Sequence, residues 1–259
     1  TLVPLMGVIY ISVAFILTIM HINLVPGVVG RIFAEAFDFT AIFGGFAGSC
    51  MMFGIKRGLY SNEAGVGSAP NAAAAADVSH PVKQGLVQML SVFIDTLLIC
   101  TATAFMCLSS GIEPTKELAG APYVQAALAA SMGDYAKLFI TVSMVLFAFT
   151  TLLGNLYYVD NAFAYVLKHV PGKTFTLCYR ILACVLIFIG AGSSMGTMWD
   201  LADVTMGFMA IINLPVICIL GGPALRALDD YTEQRNAGKN PEFKASKIGL
   251  TQKLDYWQD

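Results

Sequence analysis

The sequence predicts an all-α membrane protein with about six transmembrane helices, and three observations carry that prediction. Hydrophobic residues make up 57% of the 259-residue chain and charged residues only 12%, about half the charge of a soluble domain. The mean hydropathy is +0.70. The apolar residues are also gathered into windows of ~20 residues or more, the length a helix needs to cross ~30 Å of hydrocarbon.

In order, the windows are residues 2–28, 40–60, 84–111, 134–167, 175–194 and 198–227. The first starts almost at once after Thr1, without the charged leader and small-residue cleavage site of a signal peptide, so the chain is expected to be a piece of something longer. The second closes on the polar run that begins at Gly54 and is followed by a long connection, 61–83. The third holds Asp95, Thr96, Thr101 and Thr103, and a connection punctuated by Pro and Gly (112–133) leads to the long fourth window. Short connections separate the last three. The chain thus divides into a transmembrane region, 1–228, and a charged tail, 229–259, expected to be mostly surface.

Orientation follows from Lys and Arg, because short basic loops stay in the cytoplasm. Lys56, Arg57 and Lys83 flank one connection, Lys168, Lys173 and Arg180 another, and Arg226, Arg235, Lys239, Lys244, Lys247 and Lys253 mark the tail. Only Arg31, Lys116 and Lys137 fall on the other side. Six helices alternate with this division throughout, which places the C-terminus in the cytoplasm of a multi-pass plasma-membrane protein.

Several classes are set aside. The net charge of −2 and the lack of a basic run interleaved with aromatics argue against a nucleic-acid partner. The six cysteines lie in apolar windows without a CxxC pair and read as small buried hydrophobes. Gly65-Val66-Gly67 resembles the start of a dinucleotide fingerprint, but no strand precedes it and Pro70 stands where the third glycine belongs. Gly192-Ser193-Ser194-Met195-Gly196 satisfies G-x-S-x-G and would suit an intramembrane serine hydrolase. A serine nucleophile needs a base within hydrogen-bond reach, and His21, expected near the outer face, is the one candidate partner for Ser194; His80 and His169 are expected to be cytoplasmic.

The densest polar and Gly run is Gly54-Ile55-Lys56-Arg57-Gly58-Leu59-Tyr60-Ser61-Asn62-Glu63-Ala64-Gly65, placed between two apolar windows. This block closely resembles the alanine or glycine:cation symporter family, and the likeness extends over nearly the whole chain. The resemblance implies an architecture similar to the leucine-transporter fold, two five-helix repeats of inverted topology, with the six windows as core helices five to ten. It implies no enzyme but a sodium-coupled symporter of a small neutral amino acid, alanine or glycine, working by alternating access in a bacterial-type inner membrane. Sodium would be the coupling ion. The partners would be the amino acid, the lipid bilayer and an N-terminal half of the transporter lying outside this chain. A proton-coupled permease or a channel of the same fold is the alternative.

Five sets of residues could carry that chemistry. Phe43-Gly44-Gly45-Phe46-Ala47-Gly48-Ser49 puts three glycines and a serine in the middle of an apolar window. Each Gly costs a helix roughly 1 kcal/mol, so the run suits a broken helix that turns backbone groups to substrate or close packing through small residues. In the resembled fold this helix is broken at the substrate site, which makes Gly44, Gly45, Phe46 and Ser49 substrate contacts. Thr150 and Thr151 place two hydroxyls in the fourth window, either as hard oxygen ligands for a sodium ion or as donors to the carbonyl four residues back. The resemblance puts a shared sodium site there. Met195 and Trp199 lie one helical turn apart, as interfacial anchors or, by resemblance, as the wall of the amino-acid pocket.

Asp95 and Asp203, with Asn213 further along, are polar groups within apolar windows, costly there and functional hypotheses by default; Asp95 is read as an accessory ion or hydrogen-bond site. Lys56, Arg57, Asn62 and Glu63 suit a cytoplasmic gate of breakable ion pairs, or a capped loop in which Ser61 or Asn62 opens a helix. The chain departs from the resembled pattern at Gly154-Asn155-Leu156-Tyr157-Tyr158-Val159-Asp160, where many relatives carry Gly-Glu at the last two places.

Overall fold

Helix accounts for all the regular structure in the computed structural model, which describes residues 2–38, 50–61, 63, 65–113, 115, 118, 120–250, 254 and 257. The helices are α1 (Leu2–Met20), α2 (Val25–Ala36), α3 (Cys50–Ser61), α4 (Ala69–Ala73), α5 (Pro81–Leu108), α6 (Ala121–Met132), α7 (Asp134–Leu167), α8 (Lys173–Ala191) and α9 (Met195–Asn236). Four of them, α5, α7, α8 and α9, are long and apolar enough to cross a membrane, and α1 with α2 make a fifth if the pair is one bent span. Six were expected. The first half of the window at 40–60 lies outside the described residues, which show its second half as α3.

The first window is not one straight helix. α1 gives way to a 3-10 turn at Ile22–Leu24, and the two halves meet at 75°. The cause is Pro26 in the first turn of α2: it has no N–H to donate, and its ring would clash with the carbonyl four residues back, at Ile22. α5 also departs from the expected plain helix, since Ile94–Cys100 is π-helical. The connection 112–133 contains a helix, α6, too short at 12 residues to span and started by Pro122 after Gly120 in a positive-φ turn. The last helix runs past the expected end at 227 to Asn236, 42 residues in all. At 1.5 Å per residue that is ~63 Å, twice the hydrocarbon thickness, so part of α9 extends beyond the bilayer.

The chain forms two compact units, Thr1–Arg57 with Phe93–Tyr157, and Gly58–Val92 with Tyr158–Asp259. In the first, Ala14 and Leu17 of α1 are buried with Met106, Leu128, Ala136 and Ile140. Ala14 and Ala136 are fully buried, as small residues are where helices pack closely. The Tyr10 hydroxyl lies 2.9 Å from Thr103 Oγ1, and its ring meets Phe147 edge-on. Arg31 bridges Glu35 and Glu113.

In the second unit the tail folds back. The Phe243 amide donates to Ser79 O at 3.0 Å, Ser79 Oγ to Pro241 O at 2.9 Å, and Arg226 Nε to Ile248 O at 2.9 Å. Phe243, Ala245 and Ile248 are buried with Ala227 of α9. Part of the segment expected to be surface is therefore core: its charged residues flank an apolar set that packs inward. The cysteines also differ from expectation, for Cys107 alone is buried and the other five lie exposed on helix faces, where a bilayer would meet them.

Candidate functional site

The expected site residues fall into three groups. Gly44, Gly45, Phe46, Ser49 and Asn62 lie outside the described residues. Lys56, Arg57, Asp95, Thr150 and Thr151 belong to the first unit, and Glu63, Met195 and Trp199 to the second.

In the first unit Thr150 Oγ1 donates to the carbonyls of Leu146 at 3.1 Å and Phe147 at 3.0 Å. That is the back-bonding expected of a helical Thr, and it leaves the oxygen's lone pairs for a cation. Thr151 is exposed on the adjoining face. Asp95, half-buried, sits in the π-helical segment, the kind of irregularity that frequently marks functional sites. There Thr101 Oγ1 reaches back to Thr96 O at 3.3 Å. The Lys56 ammonium lies 5.9 Å from the centre of the Phe53 ring. Among the described residues no three His, Cys, Asp or Glu converge as a metal site.

In the second unit Met195 and Trp199 occupy the first turns of α9, one turn apart and both largely exposed. Ser194 is the N-cap of this helix: its hydroxyl accepts the Thr197 amide at 3.2 Å and lies 2.7 Å from Thr197 Oγ1. That capping role accounts for the serine of the G-x-S-x-G run. His21, in the first unit, holds Leu17 O at 3.0 Å through Nδ1, at the bend of α1 and α2.

The turn after α3 is held by contacts with α9. Glu63 adopts φ +55 and Gly67 φ +85, and the Gly67 amide donates to Glu63 O at 3.0 Å. Asn213, deep in α9, donates through Nδ2 to Gly65 O at 3.0 Å. A methyl group on Gly67 would fall 2.6 Å from Asn213 Oδ1, and one on Gly65 2.8 Å from Leu59 O. Both glycines are therefore demanded by the approach of other groups. The Tyr60 hydroxyl donates to the Asp203 carbonyl at 3.3 Å, on the same helix. The sequence flagged Asn213 and Asp203 as polar residues in an apolar helix, but their partners lie about 150 positions away and could not be read from it.

Two further polar clusters were not foreseen. Asp160 of α7 accepts from Arg180 of α8 at 2.9 Å and from the Tyr179 hydroxyl, beside the packed rings of Phe163 and Phe175. His80 is fully buried. Its Nδ1 accepts the Val82 amide at 3.2 Å, which leaves Nε2 to donate to Asp230 Oδ2 at 3.4 Å. Burial holds His80 below its usual pKa; Asp230 pulls the other way, and Lys83 and Lys247 act with burial. Asp230 also receives Lys247 at 3.4 Å.

A profile of the sodium:alanine symporter family matches residues 1–245. The chain belongs to the sodium:alanine symporter family. It is 43% identical to the amino-acid carrier protein AlsT of Bacillus subtilis, over all of this chain and 54% of that protein. It is 39% identical to the sodium/proton-dependent alanine carrier protein of Bacillus sp. PS3, over 99% of this chain and 61% of that one. The sodium/alanine symporter AgcS of Methanococcus maripaludis is 37% identical, with 92% of this chain and 52% of AgcS covered. These names are of transporters, not enzymes. The chain spans about half the length of the curated relatives it matches.

Proposed function

We propose that this sodium:alanine symporter family chain forms part of a secondary transporter that couples the sodium gradient to inward movement of a small neutral amino acid, alanine or glycine. The observation that carries this reading is the family match over residues 1–245; relatives named for sodium and alanine support it. The apolar spans would be core helices five to ten of a leucine-transporter-like inverted-repeat fold. The distribution of Lys and Arg supports a cytoplasmic tail at 229–259.

In this reading Gly44, Gly45, Phe46 and Ser49 contact substrate, Met195 and Trp199 wall its side-chain end, and Thr150 and Thr151 offer hydroxyl oxygens to sodium. Asp95 serves as an accessory ion or hydrogen-bond site, and Lys56, Arg57, Asn62 and Glu63 form the cytoplasmic gate. Sodium binds first, orders the broken helices, and raises affinity for the zwitterion. Proton coupling is the second reading, favoured by the PS3 relative's description as sodium/proton-dependent.

The test is uptake of labelled alanine by proteoliposomes of the full-length protein, with and without an inward sodium gradient, in wild type and Thr151→Val. Sodium-dependent uptake, lowered at least tenfold in the variant at limiting sodium, is expected. Uptake that follows a proton gradient alone would replace sodium with the second reading, and uptake unchanged in the variant would remove Thr151 from the ion site.

A further inference from the structure

Where the tail folds back on the second unit it leaves an apolar groove of about 560 Å³, within the ~300–1,000 Å³ of small-molecule sites. Leu86 and Met89 of α5, Pro223 and Ala227 of α9, and Ile248 and Trp257 of the tail line it. The outward face continues in exposed apolar residues, Leu90 on one helix and Leu225 on the other. Both helices are long and apolar enough to span a membrane, and the groove lies against their terminal stretches, where hydrocarbon gives way to headgroups.

A cation stands at its edge. Arg226 flanks the Pro223–Ala227 stripe, and its Nε is fixed on the carbonyl of the lining residue Ile248 at 2.9 Å. Among the described residues the two terminal guanidinium nitrogens have no partner. A guanidinium fixed through Nε, with the N–H groups of its two terminal nitrogens directed to no described residue, matches phosphate geometry, and an acyl chain has no polar group for such walls to satisfy.

We propose that this groove binds one acyl chain of an anionic glycerophospholipid, with the lipid phosphate on Arg226. The site needs only that α5 and α9 cross the membrane, and it is independent of what is transported or which ion drives it. Lipid held there bridges the tail to α5 and α9.

Trp257 reports on the groove directly. The full-length protein is reconstituted with phosphatidylglycerol or phosphatidylcholine carrying brominated chains, and the emission difference between wild type and Trp257→Phe isolates this indole. Several-fold stronger quenching by the anionic lipid at equal mole fraction is expected. Arg226→Gln is expected to make the two lipids equal. Gly85→Leu is expected to abolish the strong quenching, because Gly85 lines the groove and a Cβ there meets nothing within 4 Å. Circular dichroism and gel filtration establish that each variant is folded, and the two substitutions act on different walls. Equal quenching by both lipids in the wild type, or strong quenching that survives Gly85→Leu, would overturn the proposal. So would a groove that stays unquenched while Met89→Cys cross-links two copies, which would show a second chain in the lipid's place.

Discussion

Asn213 and Gly67 show how much one contact between distant residues demands of the chain. The Asn213 amide satisfies Gly65 O, and the φ of +85 at Gly67 leaves no room for a side chain against Asn213 Oδ1. Gly67→Ala is expected to destabilise the protein by about 1–3 kcal/mol through overpacking and backbone strain. Asn213→Ala is expected to cost about 1–3 kcal/mol by leaving Gly65 O without its donor. The double variant should cost less than the sum, by at least about 0.5 kcal/mol, since removing Asn213 relieves the clash. Thermal unfolding in detergent measures all three, and strict additivity would mean that the two residues are not in contact. At this scale the sequence was informative about which residues are unusual and silent about what they touch. An Asn in an apolar helix and a Gly-rich turn each stand out, but nothing local pairs them. Thr150 illustrates the other limit: the residue was identified, and its back-bonds to Leu146 and Phe147 depend on helix geometry alone.

Among the elements, windows of hydropathy located α5, α7 and α8 and the start of α9 closely, because length and apolarity are what a span requires, and missed the polar end of α9 beyond 227. They did not show the 75° bend between α1 and α2, since hydropathy is blind to the hydrogen bond that Pro26 removes. They also passed over α6, whose short helix follows Pro and Gly signals rather than a long apolar run, and the π-helical stretch at Asp95. The pair Asp160–Arg180 joins α7 to α8 at 2.9 Å with side chains 33% and 50% exposed. Solvent or headgroups screen a pair so placed, so Asp160→Asn is expected to cost about 1 kcal/mol of unfolding free energy. The exchange Asp160→Arg with Arg180→Asp should restore most of it. A loss of several kcal/mol for Asp160→Asn alone would show instead that the pair is dry.

For the whole molecule, the tail is joined to a segment about 150 residues earlier through a buried histidine. His80 sits between Asp230, the rings of Tyr231 and Phe243, and the ammonium groups of Lys83 and Lys247. Because its folded pKa is lowered, the unfolded form binds more protons around the ordinary value of 6.5, and stability rises with pH. The packing of the tail is therefore expected to be fully stable above about pH 7.5 and to weaken as pH falls through 6.5 towards the lower folded value. Hydrogen exchange of the Phe243 amide, corrected for its intrinsic rate, follows this, since that amide is bonded to Ser79 O. His80→Phe should weaken the packing at all pH values and flatten its dependence; an unaltered pH profile in that variant would remove His80 from the role. Composition and apolar windows by themselves determined that this chain crosses a membrane and roughly where, because those properties follow from the free energy of moving each residue between water and hydrocarbon. The block around Gly54–Gly65 added the family. Only the tertiary structure decided that Asn213 closes on Gly65, that Asp160 meets Arg180, and that a charged tail carries Phe243 and Ile248 into a core beside His80. Those are contacts across long stretches of chain, and they depend on side-chain shape and hydrogen-bond partners that no local pattern records.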